Sequence, residues 1–220
     1  MRALAAGWLV VACGDDSSGP GGTLTATAND SIGDTFGAGA TQLDLTALTI
    51  TRDTGGIDIA LDFTATVFSP VSGNADAAFG QVDFDVDQVD TTGLSSIVDF
   101  YRPPGSGSTA MGVDYFLDLF LYNADSTVDI LDTLGAIMGQ VRPVFNGSRI
   151  SVRIRRGLFG GDDAFVNAAA IIGTNAEPTD IAPNNGHIQV GTGLVAPYQP
   201  TTALRRTTRT WGSPWAAPKR

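Results

Sequence analysis

Three segments of the chain alternate between apolar and polar residues with a period of two. They are residues 57–68, 81–87 and 149–155. Successive side chains of a β-strand point to opposite faces, so this alternation is typical of a strand with one buried face and one wet face. The pattern predicts three amphipathic strands.

Turn signals place further strands around these three. The other predicted strands are residues 24–28, 41–51, 113–122, 137–145, 165–173 and 186–190. Asn146-Gly147 lies between two apolar runs and predicts a hairpin with a type I′ turn. Residues 102–108 hold two prolines and two glycines, which predicts a loop. Residues 126–134 fit either a short helix or an edge strand.

The strand spacing and the composition favour the same fold. Of 23 acidic residues 22 are Asp, and of 13 basic residues 12 are Arg. Glu and Lys are good helix formers, whereas Asp prefers turns and caps. Many short strands separated by Gly, Asp and Pro turns predict an all-β antiparallel sandwich with about 8–10 strands and little helix. We expect one such domain over residues 23–195.

Charge is distributed unevenly along the chain. Residues 21–200 carry 7 Arg and 21 acids, a net charge of −14, whereas residues 201–220 carry a net charge of +5. Phosphate contacts require Arg and Lys, so the acidic body excludes nucleic acid and anionic lipid surfaces as partners. The basic segment, residues 196–220, is interpreted as a disordered tail. The alternative is a nucleic-acid-binding arm, for which five charges are few.

The amino terminus has the features of an export signal. An apolar run of ten residues, 3–12, follows Arg2 and precedes Cys13, the chain's only cysteine. The run is too short to span a bilayer but suits the core of a signal peptide. The pattern resembles the lipobox of bacterial lipoproteins. That resemblance implies a signal peptide over residues 1–12, lipidation of Cys13 and a flexible tether over residues 13–22. The alternative is a chance cysteine after an apolar segment.

An ordered set of short motifs resembles a known group of modules. In chain order they are Asp85-Val86-Asp87, Thr92-Gly93, Gly112-Val113-Asp114-Tyr115 and the loop from Asp180 through Pro183 to Gly186. This succession resembles the extracellular β-sandwich modules related to family 9 carbohydrate-binding modules and DOMON-like domains. The resemblance implies a jelly-roll-like sandwich that binds a glycan or another extracellular polymer, sometimes with structural calcium.

The densest carboxylate cluster lies at the end of a predicted strand. It consists of Asp83, Asp85, Asp87 and Asp90. Three of these acids share one strand face about 6–7 Å apart, and such carboxylates repel one another unless water or a cation intervenes. Calcium takes six to eight oxygen ligands, so the cluster is a candidate structural Ca²⁺ site. Asp85 and Asp87 are the first choices because they match the motif; the alternative is a solvated acidic face.

Aromatic residues provide the candidate ligand-binding surface. If the face carrying Leu117 and Leu119 is buried, the opposite face of the strand 113–122 exposes Phe116, Phe120 and Tyr122 between carboxylates. Such a strip suits a sugar or a partner. Phe100 and Tyr101, just before the Pro-Pro loop, form a second aromatic pair. The alternative in both cases is that neighbouring segments cover the rings.

The remaining charged residues give weaker signals. Arg149, Arg153, Arg155 and Arg156 gather on one strand and either pair with Asp residues across strands or dock an acidic polymer. His187 is the only histidine, so nucleophile–histidine sites and His-based zinc sites are hard to build.

These features predict an exported binding module rather than an enzyme. We expect a bacterial lipoprotein, held to the membrane only by its lipid and lying in the periplasm or at the cell surface, whose sandwich binds a glycan. A structural or adhesive protein that self-associates or binds a protein partner is the alternative. A glycoside hydrolase that uses a carboxylate pair is a weaker one.

Overall fold

Two large antiparallel sheets pack face to face, which confirms the predicted all-β sandwich. A computed structural model describes residues 22–103, 107–160 and 165–191. Half of the structure is strand and only 5% is helix, as the shortage of Glu and Lys led us to expect. Most of the apolar residues on the inner faces of the two sheets form one core.

The described residues contain fourteen strands and one short α-helix. In chain order they are β1 Leu24–Asn29, β2 Leu45–Arg52, β3 Gly56–Phe63, β4 Phe79–Asp85, β5 Leu94–Ser95, α1 Ile97–Tyr101, β6 Gly112–Val113, β7 Tyr115–Tyr122, β8 Val128–Asp132, β9 Ile137–Val141, β10 Val144–Asn146, β11 Arg149–Arg155, β12 Phe165–Gly173, β13 Pro178–Ala182 and β14 Ile188–Gly191. The first sheet has the order β1-β2-β3-β11-β10. The second has the order β13-β12-β4-β7-β8-β9, and β14 also pairs with β12. A small third sheet pairs β5 with β6.

The second sheet is covered on both faces around β12. Ala168, Ala170 and Ile172 face the main core, whereas Ala169 and Ile171 face a second apolar cluster on the outer side. That second cluster is built with Ile97, Val98, Met111 and Ile181, so α1 and the segment leading to β6 form a lid over the sheet. A strand buried on both faces loses the polar alternation of the other strands, and β12 is accordingly a nearly continuous apolar run.

The structure differs from the sequence-based expectation at several connections. The predicted strand 137–145 is divided into β9 and β10 around Pro143, which has no N–H to continue a ladder. The undecided segment 126–134 contains the strand β8. The predicted hairpin is present, but Asn146 pairs with Arg149, so the two-residue loop is Gly147-Ser148. Of these two only Gly147 has a positive φ, as in a type II′ turn rather than type I′.

Candidate functional site

Asp83, one of the four predicted metal ligands, fastens α1 to β4. Its side chain is fully buried. Oδ2 accepts hydrogen bonds from Ser96 Oγ at 2.6 Å and from the Ile97 N–H at 2.9 Å, and Oδ1 accepts one from Gln81 Nε2 at 2.5 Å. Burial raises the pKa of Asp83 to about 6, against the lowering effect of these donors. Asp83 belongs to neither of the two carboxylate groups in the described part of the chain whose oxygens are close enough to share a metal ion.

The structure groups two of the other predicted ligands with a third carboxylate. Asp85 ends β4, Asp87 lies in the following turn, and Asp114 immediately precedes β7. One oxygen from each lies within 4.8 Å of the others. Asp90, partly buried farther along the turn, is not part of this group. The β4–β7 pairing explains the arrangement, because it places Phe84 opposite Tyr115 and so brings the residues next to them together.

The predicted aromatic strip is not a continuous exposed surface. Phe116 is only 5% exposed. Phe120 packs against the outer apolar cluster, with its ring centroid 6.4 Å from that of Phe79. The expectation that this face is open was wrong, because the lid formed by α1 and the residues after it covers the sheet. Phe120 therefore contributes to packing on the outer face of the sheet, and Phe116 is buried.

Tyr122 lies on the other side of the sheet from Phe120. The register of β7 against β8 shifts between Leu117 and Tyr122. The expected alternation therefore fails at the end of β7: Leu121 is 63% exposed, and Tyr122 packs against the main core. The irregular pairing separates Tyr122 from the strip to which the sequence pattern assigned it.

Phe100 and Tyr101 form the predicted second aromatic pair at the end of α1. Their rings meet edge to face, with centroids 5.2 Å apart. Phe100 is 56% exposed, whereas Tyr101 packs against the outer apolar cluster. Of the two rings, only that of Phe100 is exposed enough to contact a ligand.

A cavity of about 400 Å³ opens where the β3–β4, β7–β8 and β9–β10 connections meet. Its lining includes Phe68, Val71, Tyr122, Ser126, Arg142 and Phe145. The rings of Tyr122 and Phe145 have centroids 6.3 Å apart and are inclined at 49°. Arg142 donates from Nη2 to the Asp125 carbonyl at 2.7 Å, which places its guanidinium at the edge of the cavity.

The Tyr122 hydroxyl is an unusual feature of this cavity wall. It is buried and has no hydrogen-bond partner among the described residues. Burial raises the pKa of the Tyr122 hydroxyl well above its usual range. Of the cavity residues, the sequence reasoning identified only Tyr122. The other cavity residues could have been suspected from Pro143, because a proline interrupts the hydrogen bonds of a β-sheet and so indicates a connection between two strands.

Two of the three arginines of β11 pair with acids of the first sheet or its connections. Arg149 lies opposite Asp62 and binds it with Nε at 2.6 Å and Nη2 at 2.8 Å. Arg153 lies opposite Asp58, pairs with it, and also contacts Asp53 at 2.6 Å. These two arginines therefore follow the cross-strand interpretation.

A second carboxylate group links the start of the domain to β13. One oxygen each from Asp30, Asp34 and Asp180 lie within 4.8 Å of one another. Asn184 donates from Nδ2 to Asp30 at 2.7 Å and to Asp34 at 2.6 Å, and both Asp180 oxygens accept backbone N–H groups. Burial is the main cause that raises the pKa of Asp180 to about 8 and that of Asp30 to about 7. Asp180 ties β13 to β2 through the Leu45 N–H, and Asp30 keeps one buried oxygen, Oδ2, without a hydrogen-bond partner among the described residues.

Several predicted features lie outside the described residues. They are the signal peptide over residues 1–12, the lipidation site Cys13 with nearly all of its tether, and the basic tail over residues 196–220. In the part of the chain that is described, no helix has the length and apolar character needed to cross a membrane.

The motif-based resemblance to family 9 carbohydrate-binding modules gains no support from comparison with known proteins. Asp180, Pro183 and Gly186 of its last motif lie in and just after β13, and Asp85, Asp87 and Asp114 of its earlier motifs form one group. No family model matches the sequence, and no curated protein is a recognisable relative of the chain.

Proposed function

We propose that this chain is a β-sandwich binding module that holds a glycan in the cavity lined by Tyr122, Phe145 and Arg142. The observation that carries the proposal is the combination of size and lining. A volume of about 400 Å³ is within the range of small-molecule sites, which are typically apolar with a few polar groups that fix orientation. The cavity is built from connections at one end of a rigid sandwich, where binding residues commonly occur.

The chemistry of the lining suits a sugar ring. Aromatic rings cover the apolar face of a pyranose, and Tyr122 and Phe145 offer two such rings on one wall. Arg142 and Ser126, which also line the cavity, supply hydrogen-bond donors for sugar hydroxyl groups. The module binds its ligand without turnover in this proposal, and one to three sugar units would fill the space.

The Phe145→Ala variant tests the cavity directly. We expect the full chain to bind one class of glycan on a glycan array, and the variant to raise the Kd of that glycan at least 10-fold, because stacking on the ring is lost. A 10-fold change corresponds to about 1.4 kcal/mol. Titration calorimetry with the array hit measures it.

The matched control is Phe100→Ala, since Phe100 is an exposed aromatic residue outside the cavity. This control should bind the glycan like the parent protein. If Phe100→Ala loses binding while Phe145→Ala retains it, the α1 surface and not the cavity is the site. If the array shows no ligand, the proposal of glycan binding is wrong. If the glycan is cleaved, the proposal of binding without turnover is wrong.

We propose in addition that the module is exported and anchored through a lipid on Cys13. The support is the apolar run of ten residues that ends at the single cysteine. Expressed in a bacterial host, the parent chain should partition into the membrane fraction. Cys13→Ser should move it to the soluble fraction or leave the unprocessed precursor. Ser17→Ala, four residues later, is the control and should change neither. Unchanged partition of Cys13→Ser would exclude the lipid anchor.

Self-association is a second candidate function, and the sheet edges favour it. The edge strands β9 and β10 expose Ile137, Met138 and Val144 by 59%, 39% and 57%. Unpaired edges with apolar side chains are templates for strand pairing with another copy. Concentration-dependent assembly in analytical ultracentrifugation, abolished by Met138→Lys and accompanied by no glycan signal, would favour this function over glycan binding.

A further inference from the structure

A carboxylate group distinct from the glycan cavity lies where β4 ends and β7 begins. Asp85, Asp87 and Asp114 each bring one oxygen to within 4.8 Å of the others. Asp114 precedes β7 and Tyr122 ends it, so the eight residues of β7 separate this group from the cavity by about 25 Å. The two sites therefore lie at opposite ends of one strand.

The side chain of Asp85 is the second observation that points to a ligand. It is fully buried, and its Oδ2 accepts a hydrogen bond from Asn167 Nδ2 at 3.1 Å, while the Gln88 backbone N–H also favours the charged carboxylate. Oδ1 is buried with no hydrogen-bond partner. Asp83, two residues earlier and equally buried, has partners on both oxygens. An unpaired buried carboxylate oxygen is strongly unfavourable unless a proton or a cation satisfies it.

The surroundings of the group are negative. Asp114 and Asp87 are the charged neighbours that affect Asp85, and both raise its pKa, which burial brings to about 6. Burial and Asp87 likewise raise the pKa of Asp114. The ion pairs of Arg102, Arg149 and Arg153 use other acids, namely Asp53, Asp58, Asp62 and Asp99. A positive charge that satisfies Asp85 must therefore come from outside this set of pairs.

The donor atoms define the class of cation. All three ligands are carboxylate oxygens, which hard divalent cations prefer, whereas zinc and copper favour nitrogen and sulfur. Asp87 is exposed and gives the group access to water. Calcium accepts irregular sets of oxygen ligands completed by water, whereas magnesium requires a near-ideal octahedron. Three carboxylates from two separate segments fit the calcium pattern better.

We propose that Asp85, Asp87 and Asp114 bind one calcium ion, which joins the end of β4 to the start of β7. The backbone around the group is already tied together: the Val86 N–H donates to Asp114 Oδ2 at 2.9 Å, and the Asp114 N–H donates to the Phe84 carbonyl at 2.8 Å. The ion adds the missing partner of Asp85. It fastens the turn that leads to the lid and takes no part in glycan binding.

The test is thermal unfolding of the full chain with calcium, with magnesium and with EDTA. Ligand at 100 times its Kd raises Tm by about 5 °C for a domain of this size, and we expect that shift for calcium. Asp87→Asn should abolish the calcium shift while leaving Tm in EDTA within about 1 °C, because Asp87 is exposed and the amide Oδ1 of asparagine can still accept from the Val89 N–H and the Thr92 hydroxyl. Asp85→Asn should also lose the shift yet remain folded in EDTA, since it removes a buried negative charge.

Asp34→Asn is the matched control, because Asp34 is the exposed member of the second carboxylate group. It should retain the full calcium shift, and titration calorimetry should give one calcium ion per chain for the parent and for this variant. An equal Tm in calcium and EDTA would overturn the proposal. So would a calcium response that survives Asp87→Asn and Asp85→Asn but disappears in Asp34→Asn.

Discussion

Asp83→Ala is expected to lower the free energy of unfolding by about 3 kcal/mol at pH 7. The substitution removes the acceptor of three buried hydrogen bonds and leaves the Ile97 N–H and Gln81 Nε2 without partners. It also removes the carboxylate that holds Ser96, the N-cap residue of α1. The lid over the outer face of the second sheet should loosen, and its apolar cluster should become accessible to solvent.

The effect of Asp83→Ala should depend on pH with a definite sign. Burial raises the folded-state pKa of Asp83 to about 6, above its ordinary value of 3.8. The folded state therefore holds this proton more tightly than the unfolded chain, so the stabilisation is full below pH 3.8 and declines as pH rises to about 6. The difference between parent and variant should be larger at pH 4.5 than at pH 7.5.

Urea unfolding at the two pH values measures both effects. Asp76→Ala is the control, because Asp76 is exposed and uses only its backbone carbonyl, which accepts from the Phe68 N–H at 3.1 Å. It should change stability by less than about 0.5 kcal/mol. Equal stabilities of the two variants would show that Asp83 does not hold the lid.

The strands were predictable because alternation is a local property. The alternating segments 57–68, 81–87 and 149–155 were predicted as strands, and they contain nearly all of β3, most of β4 and all of β11, although β3 ends at Phe63 and β4 at Asp85. Residues 165–173 were predicted as a further strand and form β12 with the same bounds. The sandwich follows from these strands, since each needs a second sheet to bury its apolar face.

The lid was not predictable from the same pattern. The helix α1 has only five residues, too few to show a helical period, and its N-terminus is held by Asp83 from a distant strand. Without the lid, the face carrying Phe116 and Phe120 is expected to be open. The error in the aromatic strip is therefore a consequence of one missed tertiary contact.

The group of Asp85, Asp87 and Asp114 was only partly predictable from the spacing of acids along the sequence. Asp83 and Asp85 have the same position in the alternation, so the sequence treats them alike. The structure separates them by partners: Ser96 and Gln81 satisfy one, and the other keeps an unpaired oxygen. Asp114 joins the group only through the pairing of β4 with β7, which no local pattern reports.

Gly80→Ala is expected to lower the free energy of unfolding by about 4 kcal/mol. Gly80 lies in β4 opposite Ile172 of β12, with a φ of +156° that L side chains rarely adopt. A Cβ there would lie 2.2 Å from the Ile171 carbonyl oxygen and 2.7 Å from Ile172 Cδ1. The carbonyl cannot rotate away without breaking the ladder, so the two central strands must separate, and overpacking adds to the conformational cost.

Gly135→Ala separates the two contributions, because Gly135 has a φ of +80° and no atom within 4 Å of the added Cβ. It should lose only about 1 kcal/mol, the cost of placing alanine at a positive φ. The difference of about 3 kcal/mol in urea unfolding then measures the close approach of β4 and β12. Equal losses would mean that the sheet yields at Gly80. In that case the pair of strands β4 and β12 is less rigid than its packing indicates, and β4 carries both Asp83 and Asp85.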